Sequence, residues 1–399
     1  MQAKVLMNRK LHMKKARVIA FYLPQFHPIP ENDEWWGKGF TEWMNVAKAT
    51  PLFKGHYQPH IPTDLGFYDL RLSETREEQA KLAAEYGIEG FCYWHYWFGD
   101  GKMLLERPFK EVLESGKPDF PFCLAWANGS WTSRTWKNVN GMSKSSTLIK
   151  QIYTEDDYVK HFYHVLPALK DPRYICVDGK PLFYVHDPLD IPDLERFVEI
   201  WRALAKENGL KGIYFVAKAN ALSFWNIVDG KQVHTLKPDV SNVQKQYDEL
   251  LTKGFDAVNS REKERSEYIL SGSTLTLIDR IFAKFFKTGR LKKYDMAKIN
   301  EHMFLEEDKQ ENVIPTLIPN WDRTPRAGKA STIYYNDTPE VFGGQIKKAL
   351  NIIEGKRQEH KILFLQAWNE WAEGNHVEPD IKYGRGYLEV LKSRIVNDD

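Results

Sequence analysis

The stretch Lys361-Ile362-Leu363-Phe364-Leu365-Gln366-Ala367-Trp368-Asn369-Glu370-Trp371-Ala372-Glu373-Gly374-Asn375-His376 passes directly from an apolar run into a cluster of indole, amide and carboxylate groups. An apolar run without polar alternation marks a strand buried on both faces, as in a parallel sheet. Seven further runs have this form, at 17–26, 87–98, 120–128, 180–187, 212–220, 254–259 and 312–321, the one at 254–259 being short. Segments of helical periodicity separate them, at 71–86, 108–115, 156–170, 194–208 and 339–355. The first of these takes Ser73 as its cap, carries Glu77 and Glu78 in its early turns and stops at Gly87. Eight strand–helix units predict an α/β fold, a (β/α)8 TIM barrel with long βα-loop insertions.

Polar or aromatic groups close most of these runs. His27 follows the first, Tyr96 and Trp97 end the second, and Trp126 and Asn128 end the third. His186 and Asp187 end the fourth, and Lys218 and Asn220 the fifth. Asn320, Trp321 and Asp322 end the seventh, and Glu370 and Glu373 the eighth. The loops at the C-terminal strand ends of such a barrel converge on one rim, so a single site is expected there.

The chain of 399 residues has no Pro/Gly/Ser-rich linker, so 16–399 is read as one catalytic domain and 1–15 as a poorly ordered lead-in. An aromatic fraction of 14% with 13 Trp exceeds what packing demands and suits the stacking of pyranose rings. A net charge of +2 supplies no global attraction to nucleic acid, and no nucleic-acid partner is expected. Cys92, Cys123 and Cys176 form no CxxC pair; Cys92 and Cys123 lie in apolar runs and read as reduced, buried thiols. The basic residues Lys4 to Arg17 precede no apolar signal segment, and no run is long enough to span a membrane. A soluble, cytoplasmic protein at the inner face of the membrane is the resulting expectation.

Two connections, 129–179 and 260–311, exceed what a βα crossover needs and read as lids or binding walls. The second contains Ile281-Phe282-Ala283-Lys284-Phe285-Phe286-Lys287-Thr288-Gly289-Arg290-Leu291-Lys292-Lys293, with five basic residues and no acid. It reads as a peripheral contact to anionic lipid or to a pyrophosphate-linked substrate, or as a helix with a solvated basic face.

Glu370 and Glu373, three residues apart among Trp368, Asn369 and Trp371, form the set that chemistry on sugars needs. One carboxyl group gives a proton, the other takes one or stabilises a cation, and indole faces hold a ring. His27, His95 and His186 are candidate substrate or orienting groups, each equally readable as a satisfied structural histidine. Glu42 and Trp43, in the loop after the first run, suit a sugar subsite, as do Tyr96, Trp126 and Asn128. Asn320, Trp321 and Asp322 complete the substrate set with Asn369, Trp371 and His376, and Tyr383 reads as cleft-lining or loop packing. The competing metal cluster, His376, Glu378 and Asp380, has spacings of two and lacks His-x-x-x-His or Cys spacing. No metal or other cofactor is expected. Walker, GxGxxG, GxSxG and Asp-x-Asp signatures are absent, which weighs against a metal-dependent transferase of the Rossmann-like type.

Phe21-Tyr22-Leu23-Pro24-Gln25-Phe26-His27-Pro28, Gly39-Phe40-Thr41-Glu42-Trp43, Asp64-Leu65-Gly66-Phe67-Tyr68-Asp69-Leu70-Arg71, Gly90-Phe91-Cys92-Tyr93-Trp94-His95-Tyr96-Trp97-Phe98 and the Asn369–Gly374 block together resemble the WbsX-type glycosyltransferase group. The matching motifs run from about residue 17 to 390. That group is related to glycoside hydrolase family 99, endo-α-mannosidases and endo-α-mannanases with (β/α)8 barrels. The hydrolases carry an Asn-Glu-Trp-x-Glu-Gly block, which falls here on Glu370 and Glu373. The resemblance implies that Glu370 takes the proton of a sugar 2-hydroxyl, giving a 1,2-anhydro intermediate. It implies that Glu373 is acid to the leaving oxygen and then base to the acceptor, with retention. That role asks for a Glu373 pKa raised by burial and by its carboxylate neighbour. The third run departs from the group's Trp-Ala-Asn-Glu-Asn-Trp, reading Trp126-Ala127-Asn128-Gly129-Ser130-Trp131. Thr132-Ser133-Arg134-Thr135-Trp136 stands where a paired-Arg pattern is familiar, so both departures bear on donor or acceptor preference.

The reading that results is a retaining glycosyltransferase in O-antigen- or capsule-like polysaccharide synthesis, with a sugar donor and an oligosaccharide or lipid-linked saccharide acceptor. The alternative is a family 99-like endo-α-mannosidase or mannanase. A binding barrel without catalysis would explain Gly129, but Glu370 and Glu373 both being present argues against it.

Overall fold

The computed structural model describes residues 14–132, 146–219, 223–228, 231–240, 243–272, 275 and 290–396. Its central strands are β1 (Arg17–Tyr22), β2 (Gly90–Gly99), β3 (Phe122–Trp126), β4 (Lys180–Val185), β5 (Tyr214–Lys218), β6 (Ala257–Ser260), β7 (Val313–Leu317) and β8 (Ile362–Leu365). Each pairs in parallel with the next, and β8 pairs in parallel with β1 to close the ring. This is a (β/α)8 barrel. All eight runs read from the sequence become its strands.

Helices α1 (Ser73–Glu85), α2 (Arg107–Ser115), α3 (Glu155–Leu169), α4 (Leu194–Glu207), α5 (Val243–Thr252), α6 (Pro339–Ile353) and α7 (Gly386–Ile395) lie between or after the strands. With helices outside and side chains within, β1, β3, β5, β7 and β8 are buried along their whole length. That double burial is why their sequences show no polar alternation. α3 is capped by Thr154 and α4 by Asp193, whose side chains accept from Asp157 N and Arg196 N. Ser73 is not a cap. It is the first helical residue of α1, and its hydroxyl bonds Glu74 instead.

Aromatic rings fill the barrel beneath its C-terminal rim. Phe21 stacks on Trp94 and Phe364, with centroids 4.9 and 5.0 Å away, and meets the edge of Tyr184 at 5.1 Å. The Tyr184 hydroxyl donates to Asn259, which donates to Thr316, so the polar atoms of this layer are satisfied. Truncating such a ring to alanine typically costs about 3–5 kcal/mol. The layer makes a rigid floor under the rim loops.

The connection 129–179 contains α3 itself. Its additional length is a strand pair, Trp131–Thr132 with Thr147–Ile149, and the Cys176–Val177 strand that leads into β4. The connection 260–311 holds a helix over 263–272 and a strand, Lys292–Asp295, paired in parallel with Thr332–Tyr335 of the loop after β7. Residues 281–289 of the basic run, Ser133, Arg134, Thr135, Trp136 and Asn220 lie outside the described residues. Within the basic run, Lys292 and Lys293 belong to that strand, and the Lys293 ammonium sits 4.3 Å from the Phe53 ring centre. Residues 1–13 of the expected lead-in also lie outside; Lys14 pairs with Val396, and Lys15 N donates to Ile395 O at 2.8 Å. No helix of the described residues is long and apolar enough to cross a membrane.

Candidate active site

The two glutamates sit on a reversed turn just past β8. Asn369–Glu370 pairs antiparallel with Asn375–His376 around the single turn Trp371–Glu373. Gly374 closes it with φ +54°, and a Cβ there would lie 2.7 Å from Asp322 Cβ and 2.9 Å from Asp322 N. Only glycine allows the loops after β7 and β8 to approach this closely. Asp322 N donates to Glu373 O at 2.7 Å, while the Asn369 amide grips both backbone groups of Leu23 at 2.7 and 3.1 Å. The carboxylates are therefore held by both neighbouring barrel strands.

Arg326, on the short helix Thr324–Ala327 after β7, bridges the pair. Its Nη1 lies 2.7 Å from Glu373 Oε1; its Nη2 lies 3.0 Å from Glu370 Oε2 and 3.2 Å from Glu42 Oε1. Arg323 Nε reaches the same Glu373 oxygen at 3.1 Å. Burial raises Glu370 to about 7; Arg326 opposes the rise, while Glu373 and Glu42 add to it. Glu373 goes the other way. Burial pushes it up, but the charges of Arg326, Arg323, Arg261 and Lys263 outweigh that and hold it at about 2. The raised pKa expected at Glu373 thus falls on Glu370, because Arg326 acts on both glutamates while Arg323, Arg261 and Lys263 add their charge at the second.

A cleft of about 310 Å³ opens over this pair. Trp94, Tyr96, Trp131 and Trp321 supply apolar walls, and Arg261, Lys263, Glu264, Arg323 and His186 supply polar ones. The Lys263 ammonium lies 4.2 Å from the Trp321 ring centre, with Glu264 and Glu267 at 3.2 and 3.1 Å. Burial opposes ionisation of Glu264, yet Lys263 and Arg261 hold it well below the usual carboxylate range. Mixed charges above a carboxylate pair, walled by indoles, form a pocket for a polar, ring-shaped ligand.

The glycosyltransferase WbsX family model matches residues 18–391. The chain belongs to the WbsX family. Two curated relatives, each named "Uncharacterized protein WxcX" and each from a strain of Xanthomonas campestris pv. campestris, are 34% identical over 381 residues, which is 95% of this chain. The chain spans about half, 50%, of their length. Among solved structures, the family 99 endo-α-mannosidase of Bacteroides thetaiotaomicron aligns with a TM-score of 0.53 at 13% identity, over 94% of this chain and 95% of that one. A glycoside hydrolase-like protein aligns with a TM-score of 0.53 at 14% identity, over 96% of this chain and 94% of that one. At these identities the likeness concerns the fold.

In this WbsX-family chain Glu370, Glu373, Tyr96, His186 and Trp321 meet at the cleft. His186 Nε2 accepts from Lys218 at 3.0 Å, and burial with that ammonium pushes the imidazole down to about 3. The other sequence candidates turn away and brace the rim. Glu42 is fully buried behind Arg326, as the third carboxylate of the clamp. Trp43 donates to Tyr68 O at 2.7 Å, and Trp371 to Glu378 at 2.6 Å. Asn320 binds both backbone groups of His376 at 2.9 Å, and the His376 ring stacks on Trp371 at 3.7 Å. Asp322 accepts from Gln58 Nε2 at 2.7 Å and lies 2.7 Å from His56 Nε2. Asn128 donates to Asp187 O and accepts from Asp187 N, at 2.7 and 2.8 Å. His27 bonds Pro24 O, while Trp126 donates to Trp97 O and packs on His161.

Strand alternation explains the histidine of β2: Trp94 and Tyr96 line the cleft, so His95 between them points outward, where it pairs with His161 of α3 at 2.9 Å. Tyr383 packs beside Tyr387 and under the Lys382 ammonium, away from the cleft. Glu378 leaves its expected cluster and accepts from Tyr68, Gln79 and Trp371. Among the described residues, the atom nearest to a Cβ built at Gly129 is Asp187 Oδ2, at 4.0 Å.

Arg261, Lys263, Glu264, Arg323 and Arg326 were not read from the sequence. Arg261 follows the end of β6 at Ser260, and Arg323 and Arg326 follow Asp322. The strand-end rule, extended to the sixth strand and a few residues beyond the seventh, points to all of them.

Proposed function

We propose that this cleft performs retaining glycosyl transfer, from a sugar on a phosphate leaving group to a saccharide hydroxyl, in the assembly of a cell-surface polysaccharide. The observation that carries the proposal is the placing of cations about the pair: Arg326 and Arg323 lie 2.7 and 3.1 Å from Glu373, and Arg261 and Lys263 line the same cleft. Glu370, at about 7, is suited to act as a base near neutral pH, while Glu373, at about 2, is ionised and ringed by cations. Following the chemistry that the resemblance implies, Glu370 takes the proton of the sugar 2-hydroxyl as O2 attacks C1. The phosphate departs with the C1–O electron pair, and a 1,2-anhydro sugar forms. A phosphate needs no proton to leave; it needs positive charge, which Arg261, Lys263, Arg323 and Arg326 offer at the cleft wall. The acceptor hydroxyl then attacks C1, and its proton passes by way of ionised Glu373 to the departed phosphate. O2 regains its proton from Glu370, and two inversions leave the configuration retained.

Endo-hydrolysis of α-mannosidic bonds is the second reading, favoured by the fold shared with family 99. It requires Glu373 to protonate a departing sugar oxygen, which the four cations oppose. Melting temperatures of the wild type and Glu373→Gln decide between them, measured with nucleotide sugars, free phosphate and short α-linked manno-oligosaccharides. Stabilisation by a nucleotide sugar beyond that by phosphate is expected, since a ligand that binds only the folded form raises its stability. Stabilisation by manno-oligosaccharides alone would overturn transfer in favour of hydrolysis. In either reaction Glu373→Gln should lower turnover by about 10²–10⁴-fold.

A further inference from the structure

Behind the catalytic turn, His60 of the loop after β1 meets His376 and Asp380 of the loop after β8. One ligand atom from each lies within 4.8 Å of the others, and all three residues are buried, at 7%, 0% and 4% exposure. Both ring nitrogens of His376 and the Nδ1 of His60 are buried without a hydrogen-bond partner. His376 Nε2 lies 3.4 Å from Asp380 Oδ2, close enough for an ion pair but not aligned as a hydrogen bond. Buried imidazole nitrogens are ordinarily satisfied, so unpartnered nitrogens on both histidines of this cluster call for an occupant.

We propose that His60, His376 and Asp380 bind a divalent transition-metal ion of the zinc class. Two imidazoles and one carboxylate are a borderline-soft donor set, suited to zinc and unlike the all-oxygen sets of calcium and magnesium. The 3.4 Å between His376 Nε2 and Asp380 Oδ2 equals the edge of a tetrahedron with bonds of roughly 2.1 Å. His60 brings its ligand atom within 4.8 Å of the other two. Its ring meets that of His376 edge-on, at 68°, so the two are not locked in a stack. The charges that act on His60 are the carboxylates of Asp322 and Asp380 and, opposing them, the Lys382 ammonium, which also pairs with Asp337 at 3.6 Å. The backbone already brings the two loops together, through Thr63 N to Pro379 O and Ile381 N to Ile61 O, at 3.0 and 2.9 Å.

The ion would act as a clip. It ties the loop after β1 to a segment that begins three residues after Glu373, whose ring partner Trp371 lies inside the catalytic turn. It touches no cleft residue, so its role is positioning, and the test reads metal and not turnover. Wild type, His60→Gln and Asp380→Asn are purified, stripped with EDTA, titrated with cobalt(II) or zinc(II), and examined by absorption, metal analysis and melting. The wild type should bind about one ion per chain and melt several degrees higher with zinc in excess. Both variants, checked for native circular dichroism, should lose the cobalt absorption and the zinc-dependent rise. A wild type that binds no ion overturns the proposal. So does cobalt binding of equal strength in the wild type and in whichever variant folds.

Discussion

Replacing Arg326 by Gln removes the one group that touches Glu370, Glu373 and Glu42 together, at 3.0, 2.7 and 3.2 Å. Two unit charges about 4 Å apart attract by about 4 kcal/mol at an effective dielectric of about 20. Breaking a buried ion pair by removing one partner typically costs about 3–5 kcal/mol. Arg323 covers part of that loss, but its side chain is 41% exposed and it pairs with Glu373, not with Glu370 or Glu42, among the described residues. The buried carboxylates of the variant can recover by taking up protons, which makes the loss depend on pH. A carboxylate whose folded pKa is raised stabilises fully below its unfolded value near 4.5 and loses that contribution as pH rises through the folded value. Each unit of further rise widens the gap between variant and wild type by about 1.4 kcal/mol once the pH passes the raised value. Urea unfolding of both proteins at pH 5 and pH 9 should therefore show a clearly larger penalty at pH 9. Equal penalties at the two pH values would refute the claim that Arg326 compensates buried negative charge.

Three shorter predictions follow the same logic. If Glu370 is the base, kcat/KM rises with pH through about 7, where its ionisation is placed; a profile that falls across that range would assign it the acid's role instead. Trp321→Ala should raise KM about tenfold, or about 1.4 kcal/mol, with a smaller change in kcat, because the indole is a cleft wall capped by Lys263 and not a proton carrier. Gly374→Ala should cost about 1–3 kcal/mol, since φ is +54° and the new Cβ would press on Asp322 at 2.7 Å. An unchanged melting temperature in that variant would mean that the two loops are not tightly joined.

Much of this molecule is local in the chain, and what is local was legible. The strands showed themselves because a strand covered on both faces needs apolar residues without interruption, as Ile362–Leu365 illustrates. Glu370 and Glu373 showed themselves because one short turn presents both, with Gly374 as its visible stop. Strand-end position alone did not separate groups that line the cleft from groups packed behind it. Asn320, Asp322, Asn369 and His376 look like ligand groups in sequence, yet each spends its polar atoms or its ring face joining neighbouring rim loops. An amide that binds a sugar and one that binds backbone are the same residue type.

The sequence by itself determined the barrel and set the two carboxylates on one short turn past its last strand, because apolar periodicity and adjacency act over a few residues. Tertiary structure decided which carboxylate the cations surround. Arg326 lies 44 residues from Glu370 and 47 from Glu373, and reaches both only because β7 and β8 are neighbours in the closed ring. It likewise brought His60 to His376 and Asp380 across the β8–β1 seam. Coulomb interactions fall with distance through space and take no account of distance along the chain, so only the folded barrel fixes the protonation of its own site.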